Sequence, residues 1–223
     1  KGDCMFWLFR RHKTKALQKQ SEGAALEIAE TAKFLAELEI IDGSDNQIIV
    51  GEGSVVRGSI RIHGRGNRVV LGRDVAFGGR IVIKGRNQTV EIGDGTTARD
   101  TYILCQEGQS VKIGRNCLFS RRVEIRTTDA HSLVSRSTGK RLNLPGPVSI
   151  GDHVWIGVDV LVSKGVTIAE DNVVGGKSFV SGTFPESGTV IAGVPARILQ
   201  RDVTWQRDRR KSYRIEDLDN WRA

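Results

Sequence analysis

The sequence predicts an all-β solenoid, a chain wound into stacked coils. Three observations predict it. Four similar segments, VGEG at Val50, LGRD at Leu71, IGDG at Ile92 and IGRN at Ile113, recur every 21 residues, and self-similarity at a fixed period marks a repeat architecture. A shorter beat of six runs through Ile113, Phe119 and Ile125, and again through Ile150, Ile156, Val162, Ile168, Val174 and Val180. The chain has 26 glycines, four prolines and only 6% aromatic residues. That supplies small residues for many corners and too few large ones for a packed sandwich.

The N-terminal region, 1–41, reads as an apolar segment and a cap. CMFWLF at 4–9 precedes RRHK, the reverse of a secretory signal, in which the basic residues come first. It is expected to touch a membrane surface, a larger complex or the rest of the fold. Leu17, Ala24, Ile28, Ala32, Leu35 and Leu38 fall near a helical stripe, so a helix is predicted over 14–39, covering the open end of the array.

The coils are predicted over 42–198. Six residues make one flat face of a prism, with the aliphatic residue inside and a Gly or small residue turning the corner. Three faces close a coil of 18. The early coils of 21 therefore carry three extra residues at a corner, for which RGN at 65–67 and RNQ at 86–88 are the candidates. At His131, 18 residues after Ile113, an aliphatic residue is due and a histidine stands instead. The register stops there, and a polar loop over 132–149, with SLVSRSTGKRLNLPG at 132–146, leaves the coil. The tail, 199–223, is polar and mixed in charge, with Trp205 and Trp221. It carries no catalytic signal and is expected to pack on the coil or on a neighbouring subunit.

The net charge is +8, which favours anionic partners. Arg57, Arg61, Arg65, Arg68, Arg73, Arg80, Lys84, Arg86 and Arg99 concentrate it on the early coils, as a solvated surface or as a track for an acidic polysaccharide. No nucleic-acid-binding module accompanies the charge. No stretch is long enough to span a bilayer. Cys4, Cys105 and Cys117 are odd in number and widely spaced, against a disulfide framework or a zinc site.

Residues 147–197, PVSIGDHVWIGVDVLVSKGVTIAEDNVVGGKSFVSGTFPESGTVIAGVPAR, combine the six-residue beat with VWIG, GVTI and AGVPAR. In this combination the chain resembles the hexapeptide-repeat acyltransferases, most of all the galactoside, maltose and polysaccharide O-acetyltransferases. The resemblance implies a left-handed parallel β-helix, assembly as a homotrimer with clefts between subunits, and acetyl-CoA as co-substrate with no metal. It also implies as acceptor a carbohydrate hydroxyl, on a capsular or other cell-surface polysaccharide, anionic or not, or on its precursor, and a cytoplasmic location, free or at the inner face of the membrane.

The family carries a histidine 24 residues before the Trp of VWIG, as His131 stands before Trp155. That implies His131 as general base, a role suited to an imidazole that titrates near neutral pH. Asp129 would orient the ring or bind a sugar hydroxyl, or serve only to form the turn; Glu124 is a weaker candidate for orienting it. Trp155, next to the inward Val154, should point outward and line the cleft near the thioester. Gly157, Val158, Gly176, Ser181 and Gly182 match positions lining the pantetheine groove, with Ser178 nearby. Arg197 matches a residue on the nucleotide phosphates, helped by Lys164 and Lys177. Close relatives have Thr-Lys where this chain has Ser181-Gly182, so Lys177 or Arg201 would hold the adenine end instead. His63 and His153 do not follow the spacing of the β-helical carbonic anhydrases, so no metal is expected. The rival readings are an N-acetyltransferase of an amino sugar and a non-enzymatic scaffold.

Overall fold

The structure, a computed structural model, describes residues 23–222. They wind into a parallel β-solenoid whose strands fall into two sheets. One sheet is the first face, with Ala24–Ile28, Asn46–Val50, Arg68–Leu71, Thr89–Ile92, Val111–Ile113, Val148–Ile150, Thr167–Ile168 and Thr183–Phe184 stacked in order. The other spans two faces. Each long strand, Val55–His63, Ala76–Lys84, Thr97–Gln106 and Leu118–Arg126, starts on the second face and bends onto the third. Beyond them the faces are separate pieces: Trp155–Ile156 and Val173–Val174 on the second, Leu161–Val162 and Phe179–Val180 on the third.

The predicted aliphatic ladders form the core. Val50, Leu71, Ile92, Ile113, Ile150 and Ile168 pair in that order, and none is more than 1% exposed. Burying one such side chain stabilises the fold by about 1.5–3 kcal/mol. The spacing of 21 is thus one coil, and the interval of 37 from Ile113 to Ile150 is a coil with the excursion inserted.

The extra length of the early coils is distributed unevenly. Between the second and third faces, Phe77 and Ile81 are four apart where the later Ile156 and Val162 are six apart. This tight corner requires glycine: Gly79 has φ +139°, and a Cβ there would sit 2.2 Å from the Thr101 carbonyl oxygen. The residues gained lie between the third and first faces, where the predicted stretches 65–67 and 86–88 stand. Asn46, Asn67 and Gln88 are buried at this corner. Asn67 donates to Gly85 O at 3.0 Å, and its Oδ1 accepts from the Gln88 N–H at 3.1 Å. The ladder satisfies backbone groups that the wide turn would otherwise bury unpaired.

The helix predicted over 14–39 is not formed in its described part. Ala24–Ile28, Lys33–Phe34 and Glu37–Ile41 are strands that add one more coil, with Leu26 on Ile48 and Leu38 on Ile60. The stripe hid a period of two: Ala24, Leu26 and Ile28 alternate with the exposed Ala25 and Glu27. The open edge of a parallel sheet offers unpaired N–H and C=O groups that template a strand, and this overrides a modest helical pattern. The solenoid therefore begins by Ala24, inside the expected cap, and its final strand, Ala196–Arg201, runs past 198. The 4–9 segment lies outside the described residues. Among the described residues no helix is long and apolar enough to cross a membrane. Cys105 and Cys117 are buried, and burial pushes both thiols up to about 12.

Candidate active site

His131 lies where the chain leaves the third face. Thr127 stays in register, donating its N–H to Leu104 O and accepting from Gly146 N–H at 3.0 Å, so the excursion departs and returns at one point. Its base is tied down. Thr128 bonds Glu107, which also pairs with Arg141, and Ala130 N–H donates to Thr128 Oγ1 at 3.0 Å. Asn143 reaches back across the loop and donates at 2.8 Å both to Asp129 and to the His131 carbonyl. The backbone of His131 is therefore held, while its side chain is exposed and makes no hydrogen bond among the described residues. The loop beyond it presents Leu133, Val134, Leu142 and Leu144 to solvent.

Asp129 does not bond the imidazole in this structure. Its carboxylate takes the Lys164 ammonium and the Asn143 amide, and these hold its pKa below the ordinary value of 3.8. Lys164 follows the third-face strand Leu161–Val162, so the stacking of two coils brings it to Asp129. Glu124 is paired with Arg126.

Trp155 projects from the second face, 38% exposed, while Val154 is fully buried, as expected. Gly157 and Val158 follow it at the corner between second and third faces, and Gly176 stacks on them. A Cβ on Gly157 would lie 2.6 Å from Gly176 N. Val158 is exposed and accepts Lys177 N–H at 2.7 Å. Arg197, exposed on the last strand, lies opposite Ala192. Ser181 and Gly182 sit instead at the corner of His131 and Lys164. There Gly182 has φ +90° and open space around it. Ser178 is 2% exposed and spends its hydroxyl on Gly175 O at 2.7 Å and Gly193 N at 3.1 Å. That side chain faces the coil interior, which removes it from a groove wall.

The candidate residues thus divide between the two edges of the third face. His131, Asp129, Lys164, Ser181 and Gly182 lie on one edge. Trp155, Gly157, Val158, Gly176 and Arg197 lie on or beyond the other.

The tail is far more engaged than its sequence indicates. It runs along the corner between first and second faces, where His153 is sandwiched between Trp205 and Trp221 at 4.3 and 4.5 Å. His153 Nδ1 lies 2.9 Å from Asp171. Two tryptophans in an otherwise charged tail were the available signal. His63 lies 3.8 Å from Asp42 on another edge. Among the described residues no three His, Cys, Asp or Glu side chains gather as a metal site.

No protein-family profile matches the chain. It is 30% identical over 205 residues to a polysialic acid O-acetyltransferase of Neisseria meningitidis, covering 92% of this chain and 95% of that one. It is also 41% identical over 71 residues to the galactoside O-acetyltransferase of Escherichia coli K12, covering 32% of each. A crystal structure of the polysialic acid O-acetyltransferase OatWY superposes with a TM-score of 0.80 at 29% identity, over 87% of this chain and 92% of that one. The fold is shared with the polySia-specific acetyltransferase NeuO, TM-score 0.70 at 24% identity, over 94% of each chain. With relatedness over nearly its whole length and a parallel solenoid of stacked hexads, the chain belongs to the hexapeptide-repeat O-acetyltransferases and is an acyltransferase.

Proposed function

We propose that the protein transfers the acetyl group of acetyl-CoA to a hydroxyl of an acidic capsular polysaccharide, in a cleft that two copies complete. The observation that carries this reading is the held backbone of His131 and its exposed imidazole, without a partner among the described residues. Fixing the base before the substrate arrives is a large part of what a catalyst of this kind supplies. His131 takes the proton of the acceptor hydroxyl as the oxygen attacks the thioester carbonyl. The C–S bond then breaks, the acetyl group remains on the saccharide oxygen, and the imidazolium returns the proton to the departing thiolate. No covalent enzyme intermediate is formed.

The division of the candidate residues supports a shared cleft. One subunit of a homotrimer supplies the His131 edge, and the next supplies Trp155, Gly157, Val158 and Gly176 for the pantetheine arm and Arg197 for the phosphates. The exposed leucines of the excursion then reach the neighbour. The donor is a cytoplasmic metabolite, which argues for a cytoplasmic enzyme.

The acceptor side is supported by charge. The widened corner of the early coils leads directly to His131: Gly66 bonds Ser44, Asn87 bonds Arg65, and Thr128 meets Glu107. Arg65, Lys84 and Arg86 are exposed along this edge and have no carboxylate partner among the described residues. Coils stack about 4.8 Å apart, so the row can meet successive acidic sugars. The testing experiment is transfer from acetyl-CoA to polysialic acid and to a neutral polysaccharide, with His131→Ala as control. Transfer to the acidic polymer that disappears in the variant is expected; undiminished transfer by the variant would remove His131 from its role.

A further inference from the structure

Trp155 stands on an outer face, where the core cannot hold it. Above and below it are Leu118 and Val173, its partners in the stack. To one side is a residue of the tail: the Trp205 ring lies 6.2 Å from the Trp155 ring, tilted by 45°, within the range of edge-to-face aromatic contact. Trp205 is itself immobilised. It is 5% exposed, its Nε1 donates to the His153 carbonyl at 2.8 Å, and its face lies on the His153 ring at 4.3 Å. The imidazole is fixed in turn by Asp171 and by Trp221, whose other face carries the Arg222 guanidinium at 4.2 Å. The result is one column, Arg222, Trp221, His153, Trp205, ending at Trp155.

The tail is strapped in place over several coils. Val203 N–H bonds Gly188 O at 3.1 Å and Thr204 bonds Asp171 at 2.7 Å. Arg207 donates to Gly95 O and Cys117 O at 2.9 and 3.0 Å. Asn116 donates to Trp221 O at 3.0 Å, and Arg222 pairs with Glu170 at 2.7 Å.

We propose that this column makes the tail a structural part of the acetyl-transfer cleft, with Trp205 as the positioning residue for Trp155. The proposal rests on the assignment of Trp155 to the cleft. A surface indole otherwise samples several rotamers, and only one of them lines a fixed groove. Trp205 removes that freedom before acetyl-CoA binds, so its effect falls on the KM for acetyl-CoA more than on the chemical step at His131.

A double-mutant cycle of Trp155→Ala and Trp205→Leu in the full chain tests this, with steady-state kinetics in acetyl-CoA and calorimetric CoA binding. Trp205→Leu is expected to raise the KM for acetyl-CoA roughly tenfold with kcat within about twofold, the loss of about 1.4 kcal/mol. On the Trp155→Ala background the same change is expected to alter KM by less than twofold. Trp205→Phe, which keeps the stack on His153, should restore most of the affinity. A full tenfold effect on the Trp155→Ala background would overturn the proposal, because Trp205 would then act through general stability. Normal kinetics for Trp155→Ala would overturn the cleft assignment and the proposal with it. Should Trp205→Leu not fold, 19F spectra of the 5-fluorotryptophan-labelled protein decide. CoA is expected to shift the Trp155 and Trp205 resonances together, and a shift of Trp155 alone would overturn the coupling.

Discussion

The early and late coils share one core and differ at their corners. Leu71 and Ile92 of the early half and Ile150 and Ile168 of the late half are equally buried, in one ladder. Yet the early half tightens the corner between second and third faces to glycines and spreads the next corner into a wide basic turn. From Trp155 to Val180 the late half uses two-residue strands with corners of four. The interior is thus indifferent to what the corners carry, provided that an aliphatic residue returns in register. Length is gained where the acceptor would lie and kept minimal where the cofactor would lie, and His131 stands between the two halves.

The largest expected effect lies at that boundary. His131→Ala should lower kcat by about 10²- to 10⁴-fold, with CoA affinity unchanged by calorimetry. The core comparison is next. Ile92→Ala and Ile168→Ala should each cost about 2–5 kcal/mol in urea unfolding. Similar values would confirm one continuous ladder, whereas a cost confined to one variant would show that the halves unfold separately. For the basic corner, the double variant Arg65→Ala, Arg86→Ala should raise KM for an acidic polysaccharide about threefold to tenfold, with the difference shrinking in high salt. KM for acetyl-CoA should not move. The smallest effect is that of Asp129. Its folded pKa is lowered by Lys164 and Asn143, so its stabilisation is complete above the unfolded carboxylate value and is lost only as pH falls through the folded one. Because the carboxylate is 41% exposed, Asp129→Asn should cost about 0–1 kcal/mol at neutral pH. Its difference from wild type should vanish in strong acid, as thermal melts across pH would show.

What could be read from the sequence was whatever repeats. Val50, Leu71, Ile92 and Ile113 announce the coil because identical positions need identical side chains. His131 was legible as the point where that demand lapses, and Trp155 as a large residue beside an inward Val154. The first coil escaped notice because Ala24, Ile28 and Leu38 fit a period of 3.6 and a period of two, and only the sheet edge at Asn46–Val50 decides between them. For Asp129 the sequence leaves three roles open, orienting the imidazole, binding a sugar hydroxyl or forming the turn, because Lys164, 35 residues away, approaches only once two coils stack. Ser178 was misplaced because its role depends on which way a corner residue faces. Trp205 gave least warning, since its neighbours His153 and Trp155 precede it by about fifty residues.

The strap also bears on how the chain folds. A solenoid is a nearest-neighbour stack, in which each repeat is stabilised by the one before it and order can spread from either end. Arg207 binds a carbonyl 112 residues upstream and Trp205 one 52 residues upstream. These contacts have high sequence separation, and such contacts slow folding. They turn part of a one-dimensional array into a closed unit that opens cooperatively. During synthesis every coil they clasp emerges before them, so the column at Trp155 sets only after those coils are in place.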